Sequence, residues 1–94
     1  SRNLKNLFVT VSGTQPSTGT LVITVMKGSS VISITDTLLK ITVTANTNAG
    51  TGAVYTNTSD IVPISAGDYI VIKAIDNAST NSMTINSISM VITN

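Results

Sequence analysis

The sequence predicts an all-β chain: an antiparallel β-sandwich or jelly roll of seven or eight short strands, with no helix. Three observations carry that expectation. Thr, Ser, Ile and Val dominate, Glu is absent and the other helix formers are sparse, and β-branched side chains fit a pleated surface while disfavouring helix. Apolar and polar residues alternate with period two in several short runs, the pattern of a half-buried strand. Gly, Pro, Asn, Asp and Ser clusters punctuate those runs at roughly 8–12-residue intervals, as in sandwiches and jelly rolls.

Each run can be justified in order. Leu7, Val9 and Val11 alternate with Phe8, Thr10 and Ser12, which predicts a first strand over Leu4–Ser12. Residues 13–19 (GTQPSTG) form a loop. Leu21, Ile23 and Val25 alternate with Val22, Thr24 and Met26 in a second strand, and Lys27-Gly28-Ser29-Ser30 is a hairpin connection. Ile32 and Ile34 share a face of a short third strand, Val31–Thr35, and Asp36-Thr37 turns the chain into a fourth carrying Leu39, Ile41 and Val43. The polar, Gly-rich run 46–52 (NTNAGTG) is an exposed loop, and Val54–Asp60 is a mostly polar edge strand.

The stretch Ile61–Asp76 (IVPISAGDYIVIKAID) is expected to organise the rest. Pro63 has no N–H and suits an edge or strand end. Gly67 takes positive φ without steric cost and Asp68 bonds nearby backbone, so Ala66-Gly67-Asp68 is a turn. In the long strand that follows, Ile70, Ile72 and Ala74 face one way and Tyr69, Val71, Lys73 and Ile75 the other. Both faces are largely apolar, so this strand is expected to pack on its own core with one face and on something else with the other. In the last strand the apolar phase slips near Asn86-Ser87, between Met83 and Ile85 on one side and Ile88, Met90 and Ile92 on the other. A β-bulge or a strand buried on both faces would account for it.

Ninety-four residues make one domain, 1–94. The chain has no Cys, no His and a formal charge of +1 with its bases scattered, so no footprint for nucleic acid or an anionic membrane is expected. No apolar run reaches the roughly 18 residues of a membrane span. Ser-His-Asp and Cys-His mechanisms and the usual zinc sites lack their ligands within this chain. Asp68 and Asp76 are separated by about 27 Å of strand, too far for a glycosidase carboxylate pair. No enzyme, no catalytic residue, no metal and no cofactor is expected. Asp76-Asn77 read as turn residues rather than calcium ligands, and the acceptor patterns at Asn57-Thr58-Ser59 and Asn77-Ala78-Ser79 arise by chance in so Asn-, Ser- and Thr-rich a chain. Lys27, Lys40 and Lys73 read as a solvated face or as protection against edge pairing. A candidate ligand loop comprises Asn46, Asn48, Tyr55 and Asn57, where a Tyr with amides nearby would stack on and hydrogen-bond a sugar. The competing reading is Tyr55 packed at a sheet edge.

The segments LKNLFVTVSG, LVITVMKGSS, TSDIVPISAGDYIVIKAI and NSISMVIT together resemble the jelly-roll tips of viral and phage fibre proteins. Those are similar to the tumour-necrosis-factor and complement globular-head fold, and the same sort of module caps some bacterial spore-surface filaments. The resemblance covers nearly the whole chain and rests on strand lengths and turns. It implies a homotrimer, the terminal knob and C-terminal domain of a longer fibre, displayed on a virion surface as fibre or capsid decoration, or otherwise extracellular. It further implies a host cell-surface glycan or protein receptor. The excess of apolar residues on both faces of the long strand agrees with a partner surface, with Val71, Ile75 and Met90 expected to face neighbouring copies. The alternatives are a monomeric carbohydrate-binding module of a secreted protein and a bacterial spore-surface filament knob.

Overall fold

The computed structural model describes residues 2–12, 19–44, 53–77 and 84–94. Within them lie seven strands and no helix: β1 (Arg2–Ser12), β2 (Thr20–Gly28), β3 (Thr35–Thr44), β4 (Ala53–Asn57), β5 (Val62–Ile64), β6 (Tyr69–Asp76) and β7 (Thr84–Thr93). They form two antiparallel sheets. In the first, β1 is central, with β7 along one edge and β4 and β5 end to end along the other. In the second, β2 is central between β3 and β6. The expected all-β sandwich is what the chain forms.

The inner faces follow from register, because directly paired residues share a face. Leu4, Leu7, Val9 and Val11 of β1 meet Leu21, Ile23 and Val25 of β2 and Leu39, Ile41 and Val43 of β3, and Val62 of β5 completes this buried core. The two outer faces differ. That of the first sheet is rich in hydroxyls, with Thr10 bonded to Ser87 and Ser12 donating to Asn86. That of the second is polar along β3, with Lys40 and Thr42 beside Thr24 and Val22, and more apolar along β6. Val22, Met26, Tyr69, Val71 and Ile75 surround Lys73, whose Nζ lies 2.6 Å from Asp36 Oδ1.

Three irregularities keep apolar residues inward. In β7 the register to β1 jumps from Thr10↔Ser87 to Val11↔Ile85, so Asn86 is an extra residue. This bulge sits where the sequence phase slips, and it returns Ile85 and Ile88 to one face. In β1 a second shift between Lys5 and Phe8 accommodates Asn6, which has φ +55°, a region Asn tolerates better than most residues. In β3 the pairing to β2 passes from Thr24↔Lys40 to Met26↔Asp36. There the Thr37 hydroxyl donates to the Val25 carbonyl at 2.6 Å and accepts from the Leu39 N–H, replacing ladder bonds that the bulge removes.

Four local expectations are corrected. There is no strand at Val31–Ile34. Val31 and Ile32 lie in a solvent-facing connection, Ile32 being 93% exposed, closed by Ser33 N–H to the Ser30 carbonyl. Its apolar content misleads because two isoleucines at period two give the same signal whether or not a partner strand exists. Asp36-Thr37 belongs to β3 and is not a turn. Ile61–Asp76 is not the centre. Its long strand β6 is an edge, and the strands flanked on both sides are β1 and β2. Lys27 and Lys73 do not simply face solvent: Lys27 donates across the sandwich to the Pro63 carbonyl at 2.6 Å, and Lys73 holds Asp36. The Ser65–Asp68 turn forms as expected, with Gly67 at φ +89° and Asp68 bonded to Ser65 through both backbone and carboxylate.

Candidate functional site

One side of the sandwich is closed and the opposite side is open. On the closed side β3 lies beside β4 and β5. On the other, β6 and β7 stay more than 8 Å apart at their Cα positions, and each lacks a partner on its outer edge among the described residues. The inner-face residues of these two strands are correspondingly wet. Ile72 pairs with buried Val25 yet is 37% exposed, Ile85 pairs with buried Val11 yet is 36% exposed, and Ile92 pairs with buried Leu4 yet is 56% exposed. Ile70, Ile88 and Met90 are half-buried deeper in the same mouth, packed against the core. Exposed apolar side chains lined up beside a core in this way mark a surface that a partner can cover.

The residues expected at an interface lie on the strands that flank this mouth, two of them facing away from it. Val71 and Ile75 are 39% and 42% exposed on the outer face of β6. Met90 is on β7 and leans on its own core, half-buried. All three therefore sit on the two strands that flank the opening, two on one face of β6 and one at the mouth itself. The full set of mouth residues was not predicted. The phase slip at Asn86 and the two apolar faces of β6 were its signals.

The candidate ligand loop is only partly brought together. Asn46 and Asn48 lie outside the described residues. Tyr55 pairs with Val9 and is half-buried against the core cluster, which is the sheet-edge packing weighed against sugar stacking. Asn57 is a hub of local structure. Its Nδ2 donates to the Lys40 carbonyl and to Asp60 Oδ2, each at 2.9 Å, and its Oδ1 accepts from the Ser59 and Asp60 N–H groups. An amide so committed is poorly placed to hold a sugar or to accept a glycan.

Two further features complete the surface. A half-open hollow of about 370 Å³ is lined by Arg2, Ile64, Ser65, Ala66 and Ile92, at the end of the mouth near the termini. Among the described residues no three His, Cys, Asp or Glu side chains gather as a metal cluster. The two ends of the sandwich also differ. Asn3 pairs with Thr93, which puts both termini at one pole. Ser12, Thr20, Thr44, Ala53, Asp76 and Thr84, which flank segments 13–19, 45–52 and 77–83, gather at the other through the pairs Ser12↔Thr84, Thr20↔Thr44, Val11↔Ala53 and Leu21↔Asp76. Comparison with models of known families, with curated proteins and with solved structures gave no match.

Proposed function

We propose that this domain is a trimeric structural knob of a phage or viral fibre or decoration protein, able to present a receptor-binding surface to cell-surface glycans or proteins. The observation that carries the reading is the open, apolar side between β6 and β7. A 94-residue sandwich whose inner face is uncovered along β6 and β7 gains stability by burying that side on copies of itself, and a closed symmetric ring does so without leaving a surface on which polymers grow. The polarity of the fold supports the same reading. A stalk joined to either terminus leaves one pole, and the ends of six strands meet at the other. Three such poles side by side would bind by avidity, three weak contacts acting together in place of one deep pocket. Display at a virion surface, and a role without catalysis, belong to this proposal.

The test is mass in solution, by light scattering on a size-exclusion column at micromolar protein. The expected value is three times the 9.7 kDa of one chain. A monomer that stays folded would overturn the trimer and favour a monomeric carbohydrate-binding module. For the receptor arm, the trimer applied to an immobilised glycan array is expected to retain specific glycans; a flat array would leave a purely structural knob.

A further inference from the structure

We infer that the trimer closes by strand pairing: the free edge of β7 in one copy pairs antiparallel with the free edge of β6 in the next, turning three open mouths onto a shared axial core. The inference rests on the trimeric reading and specifies how the copies meet.

The edges themselves distinguish β7. Exposed strand edges are templates for pairing, and proteins blunt them with charges, prolines or interruptions. The β3 edge carries Asp36 and Lys40, and the β4–β5 edge is broken at residues 58–61 and carries Pro63. By contrast β7 (TINSISMVIT) runs for ten residues with no charge and no proline. On β6 the one cation, Lys73, is already neutralised by Asp36 on its own outer face, so covering this strand isolates no unpaired charge along its length. The irregularities of β7 are the bulge at Asn86, near its start, and the register shift opposite Lys5–Phe8, and an edge without charge or proline beside an uncovered apolar mouth is one that a further strand can extend.

Direction then selects the partner. Strand β6 runs from Tyr69, opposite Gly28, to Asp76, opposite Leu21, that is, from the pole of the termini towards the pole of strand ends. Strand β7 runs back, from Thr84 opposite Ser12 to Thr93 opposite Asn3. In copies related by a threefold axis along this direction, β7 of one and β6 of the next are antiparallel without any inversion. Their lengths, ten and eight residues, match. A β7–β7 pair would instead need a twofold axis and would leave every β6 edge bare. The heterologous pairing satisfies both edges of all three copies and ends in a closed ring. Ile72, Ile85 and Ile92, with Ile70, Ile88 and Met90 behind them, would then face the axis.

The chain has no cysteine, which makes cross-linking clean. Val71→Cys on β6 is combined in turn with Ser87→Cys, Ser89→Cys and Val91→Cys on the corresponding face of β7, and each double variant is oxidised and run on a non-reducing gel. Within one copy β6 and β7 are beyond the ~7 Å Cα reach of a disulfide. The expected result is that at least one combination converts most of the chain to a covalent trimer while every single variant stays monomeric on the gel. In the wild type, β7 amides not bonded to β1 should exchange at least tenfold more slowly than the exposed amides of Ser29–Ile34. A species of trimeric mass that neither cross-links in any register nor protects those amides would overturn the strand pairing and leave the trimer standing. A wild-type monomer by light scattering would remove both.

Discussion

Replacing Gly28 by Ala should destabilise the domain by crowding alone. Gly28 ends β2 in extended backbone and is buried, so its φ is one that any residue adopts. A Cβ built there would overlap the Ser33 carbonyl oxygen and lie 2.7 Å from Ser33 C and Ile34 Cα. All three are backbone atoms, so no side-chain rotation relieves the clash, and the Ser29–Ile34 connection must move. Overpacking of this kind costs about 1–3 kcal/mol, against which the smaller entropy of an unfolded alanine chain returns less than about 1 kcal/mol. Gly67 is the control. Nothing lies within 4 Å of its Cβ position, but its φ is +89°, so alanine there meets backbone strain of about 1–2 kcal/mol and no contact. Asparagine separates the two causes, because it tolerates positive φ yet is larger than alanine. Gly67→Asn should be more stable than Gly67→Ala, and Gly28→Asn less stable than Gly28→Ala. Urea unfolding at fixed protein concentration reads this directly, with a shift of the Gly28→Ala midpoint on the order of 1 M. If Gly28→Ala unfolds at the wild-type midpoint, the connection is not seated on β2 and the reasoning fails.

Leu7 is fully buried and Ile32 almost fully exposed. Leu7→Ala should therefore cost about 2–5 kcal/mol and Ile32→Ala less than about 0.5 kcal/mol, by the same urea assay. Asn57→Ala leaves the Lys40 carbonyl and the Ser59 and Asp60 N–H groups without their partner. A loss of about 1–3 kcal/mol is expected, with faster amide exchange at Ser59 and Asp60 as the local readout; unchanged exchange there would contradict the hub. The Lys73–Asp36 pair is partly exposed, at 31% and 57% of the side chains, so Asp36→Asn should change stability by less than about 1 kcal/mol, and by still less in 1 M salt. A larger effect would mean that the pair is covered in the assembled protein.

How far the sequence carried the fold can be seen at particular residues. The alternations in β1, β2 and the end of β3 were legible because one face of each is buried, and burial is what period-two patterning reports. The Ser65–Asp68 turn was legible because Gly67 and Asp68 have a chemical reason to be there. The strand expected at Val31–Thr35 does not form over Val31–Ile34, and Thr35 opens β3 instead, because alternation is local and says nothing about whether a neighbouring strand exists to pair with. For the same reason β6 looked central. Two apolar faces suggested cover on both sides, whereas the strand is an edge bordering an open mouth. The bulge at Asn86 was legible as a phase slip, but which strand it faced is a matter of register and lies outside any local pattern. Of the candidate site, Tyr55 and Asn57 show why residue type alone misleads. A Tyr and an Asn serve a core and a loop as readily as a ligand, and only their partners decide.

Covering of the side between β6 and β7 by other copies of the chain is what the proposed trimer requires. Its most direct test is the thermal midpoint of unfolding across a hundredfold range of protein concentration. When folding and trimer assembly are coupled, mass action adds about 1.8 kcal/mol per chain over that range, which raises the midpoint by roughly 7–14 °C. That rise is the predicted result. A midpoint independent of concentration, with the chain folded throughout, would contradict the account.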